Sequence, residues 1–357
     1  MSIENYSQTK AVALELFNVQ LAIDDQTILQ ALSFDLEEGE ILCLLGPSGC
    51  GKTTALKTIA GLAMPQQGQI NLFGDSVFSD NKINLPAEQR AIGFIFQDYA
   101  LFPHMTVGQN IAYGLSGLAK QEKQQRIKES LNLVELPDLE HRYPHELSGG
   151  QQQRIAVARA LAPKPKLLLM DEPFSNIDGQ VKRRMMADLR RLLKEHNISC
   201  IFVTHAKEEA FAFADKTAVM INGHIEQLDI PAKVFNQPNT VAVAEFMESG
   251  NLATLRHSQQ VLDRIPHQWP RDSDNSGYWL FKPQYLTLSH SLQNTGIELI
   301  DTTYIGRGYQ HDIAIRLNNS HNAPTIIWKA ETESPLDFAN GDNIAVEYIQ
   351  QPHWLQE

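Results

Sequence analysis

The chain has 357 residues, 43% hydrophobic and 20% charged, with 42 acidic against 30 basic side chains and a formal charge of −12 at neutral pH. That length holds two or three domains and a sizeable core. The acidic balance argues against a duplex-binding protein, which needs a basic face to neutralise phosphates, so no nucleic-acid partner is expected. Three scattered cysteines, Cys43, Cys50 and Cys200, exclude a disulfide scaffold or a zinc site and fit a reducing compartment.

The opening MSIENYSQTK has neither the basic start nor the apolar run of a signal peptide, and no stretch approaches the ~18 apolar residues of a spanning helix. The expectation is a soluble chain that meets a membrane only through a partner. Residues 39–46, GEILCLLG, read as a short buried strand, because Ile41, Leu42, Leu44 and Leu45 are apolar without polar alternation. After them, Leu56, Ile59 and Ala60 share one helical face. Residues 91–96, 166–172 and 199–205 are further continuous apolar runs, each read as a buried strand. Between the first two, residues of about 98–161 contain no strand-like run and read as a mainly helical insertion. Val181, Met185, Leu189, Leu192 and Leu193 form one apolar stripe on a half-exposed helix. Asn222-Gly223 between apolar segments predicts a hairpin. Buried strands alternating with amphipathic helices predict an α/β fold with a mostly parallel sheet. Near Glu245 the texture changes to short β-prone pieces such as GYWLF, YLTLS and TIIWKA, which predict a small all-β domain. The expected division is 1–244 and 245–357.

Three motifs carry chemistry. Gly46, Pro47, Ser48, Gly49, Cys50, Gly51, Lys52 and Thr53 form G-x-x-x-x-G-K-T after a strand and at the start of a helix, the context of a phosphate-binding P-loop. Glycines let successive N–H groups converge on one anion, the helix N-terminus adds its dipole, Lys52 brings a full charge, and Thr53 offers a hydroxyl to Mg²⁺. A plain glycine-rich turn is the competing reading. Asp171 ends the apolar run LLLMD, where a metal carboxylate belongs, and Glu172 beside it could deprotonate an attacking water; two capping acids before Pro173 would read the same way. About a hundred residues after the P-loop, Leu-Ser-Gly-Gly-Gln (147–151) precedes a helix. Ser148 can cap it, and Gly149 and Gly150 leave its first N–H groups open, a second anion-binding helix start.

In order, the P-loop, Gln97 after GFIF, LSGGQ, LLLMDEP, SNID and VTH make the chain resemble the nucleotide-binding subunit of an ABC transporter over residues 14–240. The resemblance implies a RecA-like P-loop core with an antiparallel β subdomain and a helical subdomain, followed by an OB-type regulatory domain. It implies two subunits that sandwich two ATP molecules, each site joining one subunit's P-loop to the other's signature. Lys52 and the backbone from Gly46 to Thr54 then hold the phosphates, while Thr53, Asp171 and Gln97 attend Mg²⁺. Glu172 is the general base, Gln97 reaches the water, and His205 contacts the γ-phosphate. Ser148, Gly150 and Gln151 approach from the opposite subunit, and Asp178 lies at the contact between subunits. Relatives carry an aromatic residue for adenine near Ile23; an aliphatic side chain there offers no ring stacking, so Phe17 is an alternative. Ala206 stands where Asp is frequent after His205, which is expected to alter the start of the next helix.

No spanning segment is fused to the motor and a β-rich tail follows, which resembles bacterial importers. Tyr99, Leu101 and Phe102 after Gln97 are either core or a groove for a short helix of a membrane subunit. The wording GFIFQDYALFPH and DEPFSNID is most similar to ferric-iron importer ATPases, with polyamine, sulfate and sugar importers as alternatives. The resemblance therefore implies ATP hydrolysis on the cytoplasmic face of the inner membrane by a homodimer, docked on permease subunits and served indirectly by a periplasmic or surface solute-binding protein. A non-transport ABC ATPase with long heptad arms does not fit, since the stretch from Gln97 to Leu147 is too short for them. A regulatory subunit that binds ATP without turnover is disfavoured by an intact Glu172.

Overall fold

Two long strands open the fold of the computed structural model, which describes residues 11–80, 82–175, 179–254, 277–291, 295–316, 325–336, 339–349 and 353–356. Strands β1 (Val12–Ile23) and β2 (Gln26–Glu37) pair antiparallel around Asp24 and Asp25, both at positive φ. Then come β3 (Ile41–Leu45), fully buried, and helix α1 (Lys52–Ala60). Strands β4 (Gln67–Leu72), β5 (Asp75–Ser79) and β6 (Ile83–Asn84) extend the hairpin into an antiparallel sheet of order β2-β1-β4-β5-β6. β7 (Ile92–Ile95) is followed by α2 (Val107–Ala112), α3 (Lys120–Leu133) and α4 (Gly149–Leu161), the expected helical insertion. The chain goes on through β8 (Leu167–Asp171), α5 (Gly179–Glu195), β9 (Ser199–Thr204), α6 (Lys207–Phe213), β10 (Lys216–Ile221) and β11 (His224–Asp229).

The apolar runs become the second sheet, ordered β11-β10-β3-β9-β8-β7 and parallel from β10 to β7. The central strands β3, β9 and β8 are short and buried on both faces, as packing between helices and a second sheet requires. β11 returns antiparallel through the Asn222-Gly223 turn, with φ 48° and 86°. Ala55, Leu56 and Ile59 of α1 share one core with Leu14, Leu29, Leu32 and Ile70 of the antiparallel sheet and Leu44, Leu169 and Val203 of the parallel one. Each such buried leucine or isoleucine contributes about 1.5–3 kcal/mol. Helix α1 is closed at its C-terminus by Arg90, whose Nη1 donates to the carbonyls of Thr58 (2.9 Å) and Ile59 (2.8 Å) and whose Nε donates to Leu85 (2.9 Å). The stripe of α5 begins at Met185; Val181 is 49% exposed and does not belong to the core.

The chain divides into two compact units, Met1–Ala232 and Lys233–Glu357, so the compositional change near Glu245 falls inside the second unit. α7 (Pro231–Asn236) begins at the division, and α8 (Val241–Met247) lies within the second unit. Beyond them are β12 (Asn251–Thr254), β13 (Gly277–Phe281), β14 (Leu286–His290), β15 (Ile297–Tyr304), β16 (Tyr309–Arg316), β17 (Thr325–Thr332), β18 (Ile344–Tyr348) and β19 (His353–Gln356). They form three small sheets, β12-β13-β19, β14-β18 and β15-β16-β17, around Phe281, Trp328 and Tyr348. The small all-β expectation is met.

Lys282 is the exception in this second unit. It is 7% exposed, donates from Nζ to the Phe235 carbonyl at 2.7 Å and lies 4.5 Å from that ring's centroid. Burial pulls its pKa from 10.5 down to about 8. The unfolded chain therefore holds a proton that the folded chain has lost between these values, and stability rises with pH across that window. The ceiling is about 3 kcal/mol. Followed by tryptophan fluorescence, the slope of stability with pH from 7.5 to 9.5 should be more positive in the parent than in Lys282→Met, the buried thiols of Cys43, Cys50 and Cys200, which act with the opposite sign, contributing equally to both. The upper limit avoids the phenol of Tyr348, which burial pushes up.

Candidate active site

Leu45 ends β3, and the loop after it must pass close beside β10. A Cβ on Gly46 would stand 2.1 Å from the Met220 carbonyl, so only glycine fits there. Gly51, at φ 102°, turns the loop into α1, and a Cβ on it would meet the Ile28 carbonyl at 2.9 Å. Pro47, Ser48 and Gly49 stand exposed at the rim, while Cys50 is buried with Sγ 3.8 Å from Lys52 Nζ, and burial pushes its thiol pKa up. Lys52 is the first residue of α1. Its Nζ donates to the carbonyls of Gly46 and Pro47, both at 2.8 Å, which fixes the ammonium inside the curve of the loop. Thr53 and Thr54 occupy the first turn, whose N–H groups have no carbonyl partner within the helix.

Thr53 Oγ1 donates to Asp171 Oδ1 at 2.8 Å, joining α1 to the end of β8. Asp171 is 7% exposed, and burial, with Glu172 adjoining, holds its pKa above the ordinary range despite the threonine hydrogen bond. Glu172 has left-handed backbone, φ 44°, and its N–H donates to Val203 O of β9 at 3.1 Å. Both carboxylate oxygens are engaged: Gln97 Nε2 donates to Oε2 at 2.9 Å, and His205 Nδ1 lies 3.3 Å from Oε1. Four segments distant in sequence thus converge in one cluster at the carboxyl ends of parallel strands, where ligands of open α/β sheets bind.

The signature residues stand apart from that cluster. Ser148 caps α4: its hydroxyl accepts from Gln151 N at 3.3 Å, and Gln151 Oε1 accepts from Ser148 N at 2.9 Å. Gln151 thus turns back onto its own helix start, leaving the N–H groups of Gly149 and Gly150 as open first-turn donors. Space before Gly149 is open, and a Cβ on Gly150 would come no nearer than 3.8 Å to Met185. Among the described residues, no hydrogen bond joins Ser148, Gly150 or Gln151 to Lys52, Asp171 or Glu172. Asp178 lies outside the described residues. Ile23, 51% exposed, ends β1 opposite Gln26, two residues from the Ile28 carbonyl that faces Gly51. Phe17 lies six residues back along that strand, about 20 Å away.

Sequence reasoning missed the support behind His205. Thr204 Oγ1 donates to Glu209 Oε2 at 2.6 Å and accepts from Ala206 N at 3.0 Å; Lys182 Nζ pairs with Glu209 Oε1 at 2.7 Å. Ala206, as expected, brings no side-chain acceptor to the start of α6, and Thr204 supplies one instead. The three-residue spacing from Ala206 to Glu209 is that of a capping box, the one sequence sign available.

A phosphate loop with an internal lysine, a hydroxyl–carboxylate pair and an adjoining acid held by Gln and His defines a P-loop nucleoside triphosphatase. The family model described as ABC transporter matches residues 29–175. The Fe(3+) ions import ATP-binding protein FbpC of Escherichia coli O157:H7 is 38% identical over 88% of this chain and 92% of its own length. The spermidine/putrescine import ATP-binding protein PotA of Nitrosospira multiformis is 44% identical over 71% of this chain and 68% of that protein. Among solved structures, cbiO1 from Clostridium perfringens, part of the ABC transporter complex cbiONQ, matches at TM-score 0.59 and 26% identity, covering 64% of this chain and 92% of that one. A dimeric ATP-binding cassette in a post-hydrolysis state with ADP and phosphate matches at TM-score 0.53 and 29% identity, covering 61% and 98%. The chain belongs to the ABC transporter family of ATP-binding proteins, and it is an ATPase.

Proposed function

We propose that this chain is the motor of a bacterial importer, a homodimer on the cytoplasmic face of the inner membrane that drives permease subunits fed by a solute-binding protein. The observation that carries the reading is the separation described above. Lys52, Thr53, Asp171, Glu172, Gln97 and His205 lie on one hydrogen-bonded cluster and its loop, and the second anion-binding helix start, exposed Ser148 with the Gly149 and Gly150 donors, shares no hydrogen bond with it among the described residues. Two such chains placed head to tail give each ATP a P-loop from one and a signature from the other. No helix among the described residues is long and apolar enough to cross a membrane, so the permeases supply the path.

Thr53 and Asp171 fit Mg²⁺. Their oxygens lie 2.8 Å apart, both hard donors, and the buried carboxylate is destabilised as an anion until a cation adjoins it. Among the described residues no group of three His, Cys, Asp or Glu forms a closed metal cage, which suits an ion shared with substrate phosphates. When bound, Mg²⁺ neutralises charge that develops on the transferring phosphoryl group. Lys52 and the loop N–H groups hold the phosphates, Glu172 accepts the proton of the attacking water, Gln97 orients that water, and His205 meets the γ-phosphate. Ile23 gives adenine an apolar contact without stacking.

The cargo we assign is ferric iron, supported by similarity to iron-import proteins that runs through both units: a Haemophilus influenzae relative, also named FbpC, is 38% identical over 93% of this chain. Polyamine is the second reading, favoured by the higher identity of the Nitrosospira protein. Cells lacking this chain should lose accumulation of radiolabelled ferric iron and keep that of spermidine. The reverse pattern transfers the cargo to polyamine and leaves the motor assignment standing.

A further inference from the structure

We propose that Arg159 is a positioning residue for hydrolysis, a clasp by which the signature helix holds the turn after Gln97 and so sets Gln97 against Glu172. The inference rests on the reading of Gln97 and Glu172 as the water-activating pair.

Arg159 stands in the last turn of α4, the helix that begins at Ser148. Its guanidinium reaches across to the turn that follows Gln97. Nη1 donates to the Ala100 carbonyl at 2.6 Å and Nη2 to the Tyr99 carbonyl at 2.8 Å, and the group lies 5.7 Å from the Phe102 ring centroid. Burial lowers the pKa of this arginine, so its charge is held in a partly desolvated place and two carbonyl dipoles answer it.

The turn has a conformation that needs holding. Tyr99 and Ala100 sit at φ 61° and 45° in succession. Two consecutive non-glycine residues in left-handed backbone are strained, and such strain persists only where surroundings enforce it. The Tyr99 ring, 7% exposed, and the arginine fork supply that enforcement. Gln97 lies two residues upstream, with its amide on Glu172 Oε2 at 2.9 Å. At the same end of α4, a Cβ on Gly93 of β7 would stand 2.9 Å from the Ala160 carbonyl, so the helix end and the strand leading to Gln97 are in close contact.

Helix α4 has 13 residues and spans about 20 Å as a stiff rod. One end presents the open donors of the signature, and the other grips the segment that positions Gln97. Anything that shifts α4 at Ser148 is therefore transmitted to Glu172 of the same chain by two hydrogen bonds from one side chain. A lysine at the position keeps the charge but lacks the planar fork that spans both carbonyls.

The test is a double-mutant cycle on the intact chain: Arg159→Lys, Arg159→Gln and Gln97→Ala, singly and combined, with kcat and KM for ATP and the thermal midpoint of each. In the wild-type background, Arg159→Gln should lower kcat about tenfold or more with KM within about threefold, and Arg159→Lys should recover only part of the loss. In the Gln97→Ala background the same changes should cost less than about twofold, because the route is already cut. Equal fractional losses in both backgrounds overturn the proposal. So does an unchanged kcat, or a loss of the folded state in both arginine variants, which marks a structural clamp alone. Full turnover in Gln97→Ala by itself overturns the reading of Gln97, and the clasp with it; slow Gln97→Ala with additive arginine effects overturns the clasp and leaves that reading intact.

Discussion

Glu172→Gln loses turnover by a factor on the order of 10²–10⁴, the range of a positioned general base, and still binds ATP. The carboxylate proposed as the base is firmly held. Its backbone is anchored by the bond from Glu172 N to Val203 O, and its two oxygens are set by Gln97 at 2.9 Å and His205 at 3.3 Å. Glutamine has the same shape and accepts the bond from Gln97, so the site keeps its form. What it lacks is a lone pair basic enough to take a proton from water. The phosphate contacts proposed for Lys52 and the loop backbone do not involve the Glu172 side chain and survive the change. Phosphate release by the purified variant measures the loss; nucleotide retained on a slowly dissociating dimer measures the binding. Turnover within a few-fold of the parent protein would mean that another group takes the proton.

Much of this cluster is legible in the sequence, because each part is written into a local pattern. Apolar runs without alternation become strands β3, β7, β8 and β9, and the candidate site residues stand at or just past the end of each run: Gly46, Gln97, Asp171, His205. The antiparallel sheet of β1, β2, β4, β5 and β6 is legible only through the family resemblance. In β1 the pairing register shifts between Leu16 and Val19, with Asn18 at φ 49°, so the inward residues Leu14, Leu16, Val19 and Leu21 break a two-residue period. β2 carries a similar irregularity at Ala31, φ 51°. Helices α7 and α8 are too short to display a period. Val181 misleads for the opposite reason: it stands at the right spacing, but one turn before the core begins. The charged supports are invisible for a simpler reason. Arg90 and Arg159 act mainly on backbone carbonyls, which have no letter, and Glu209 joins Thr204 to Lys182, 27 residues away, with no motif to mark the pairing.

Two inactive variants, Lys52→Ala and Ser148→Arg, should restore a working site when mixed. Lys52→Ala removes the ammonium fixed between Gly46 and Pro47 and lowers ATP affinity about ten- to hundredfold, the worth of one or two charge-assisted hydrogen bonds. Ser148→Arg places a long cation at the exposed helix start where the donors of Gly149 and Gly150 face outward, and costs the helix about 1 kcal/mol of capping. If each site draws its P-loop from one chain and its signature from the other, a mixed dimer gathers both lesions into one site and leaves the second with neither. Random pairing of equal amounts makes about half the dimers mixed, so about a quarter of all sites are intact. Measured as ATP retained in a Glu172→Gln background, the mixture should hold nucleotide near that fraction, while each variant alone holds almost none. A mixture no better than its components would mean that every site carries one lesion or the other, as when a single chain builds the whole of it. The separation of Ser148 from Lys52 within a single chain argues for the first result, since a phosphate held by Lys52 leaves the signature donors without an anion unless a second chain brings one.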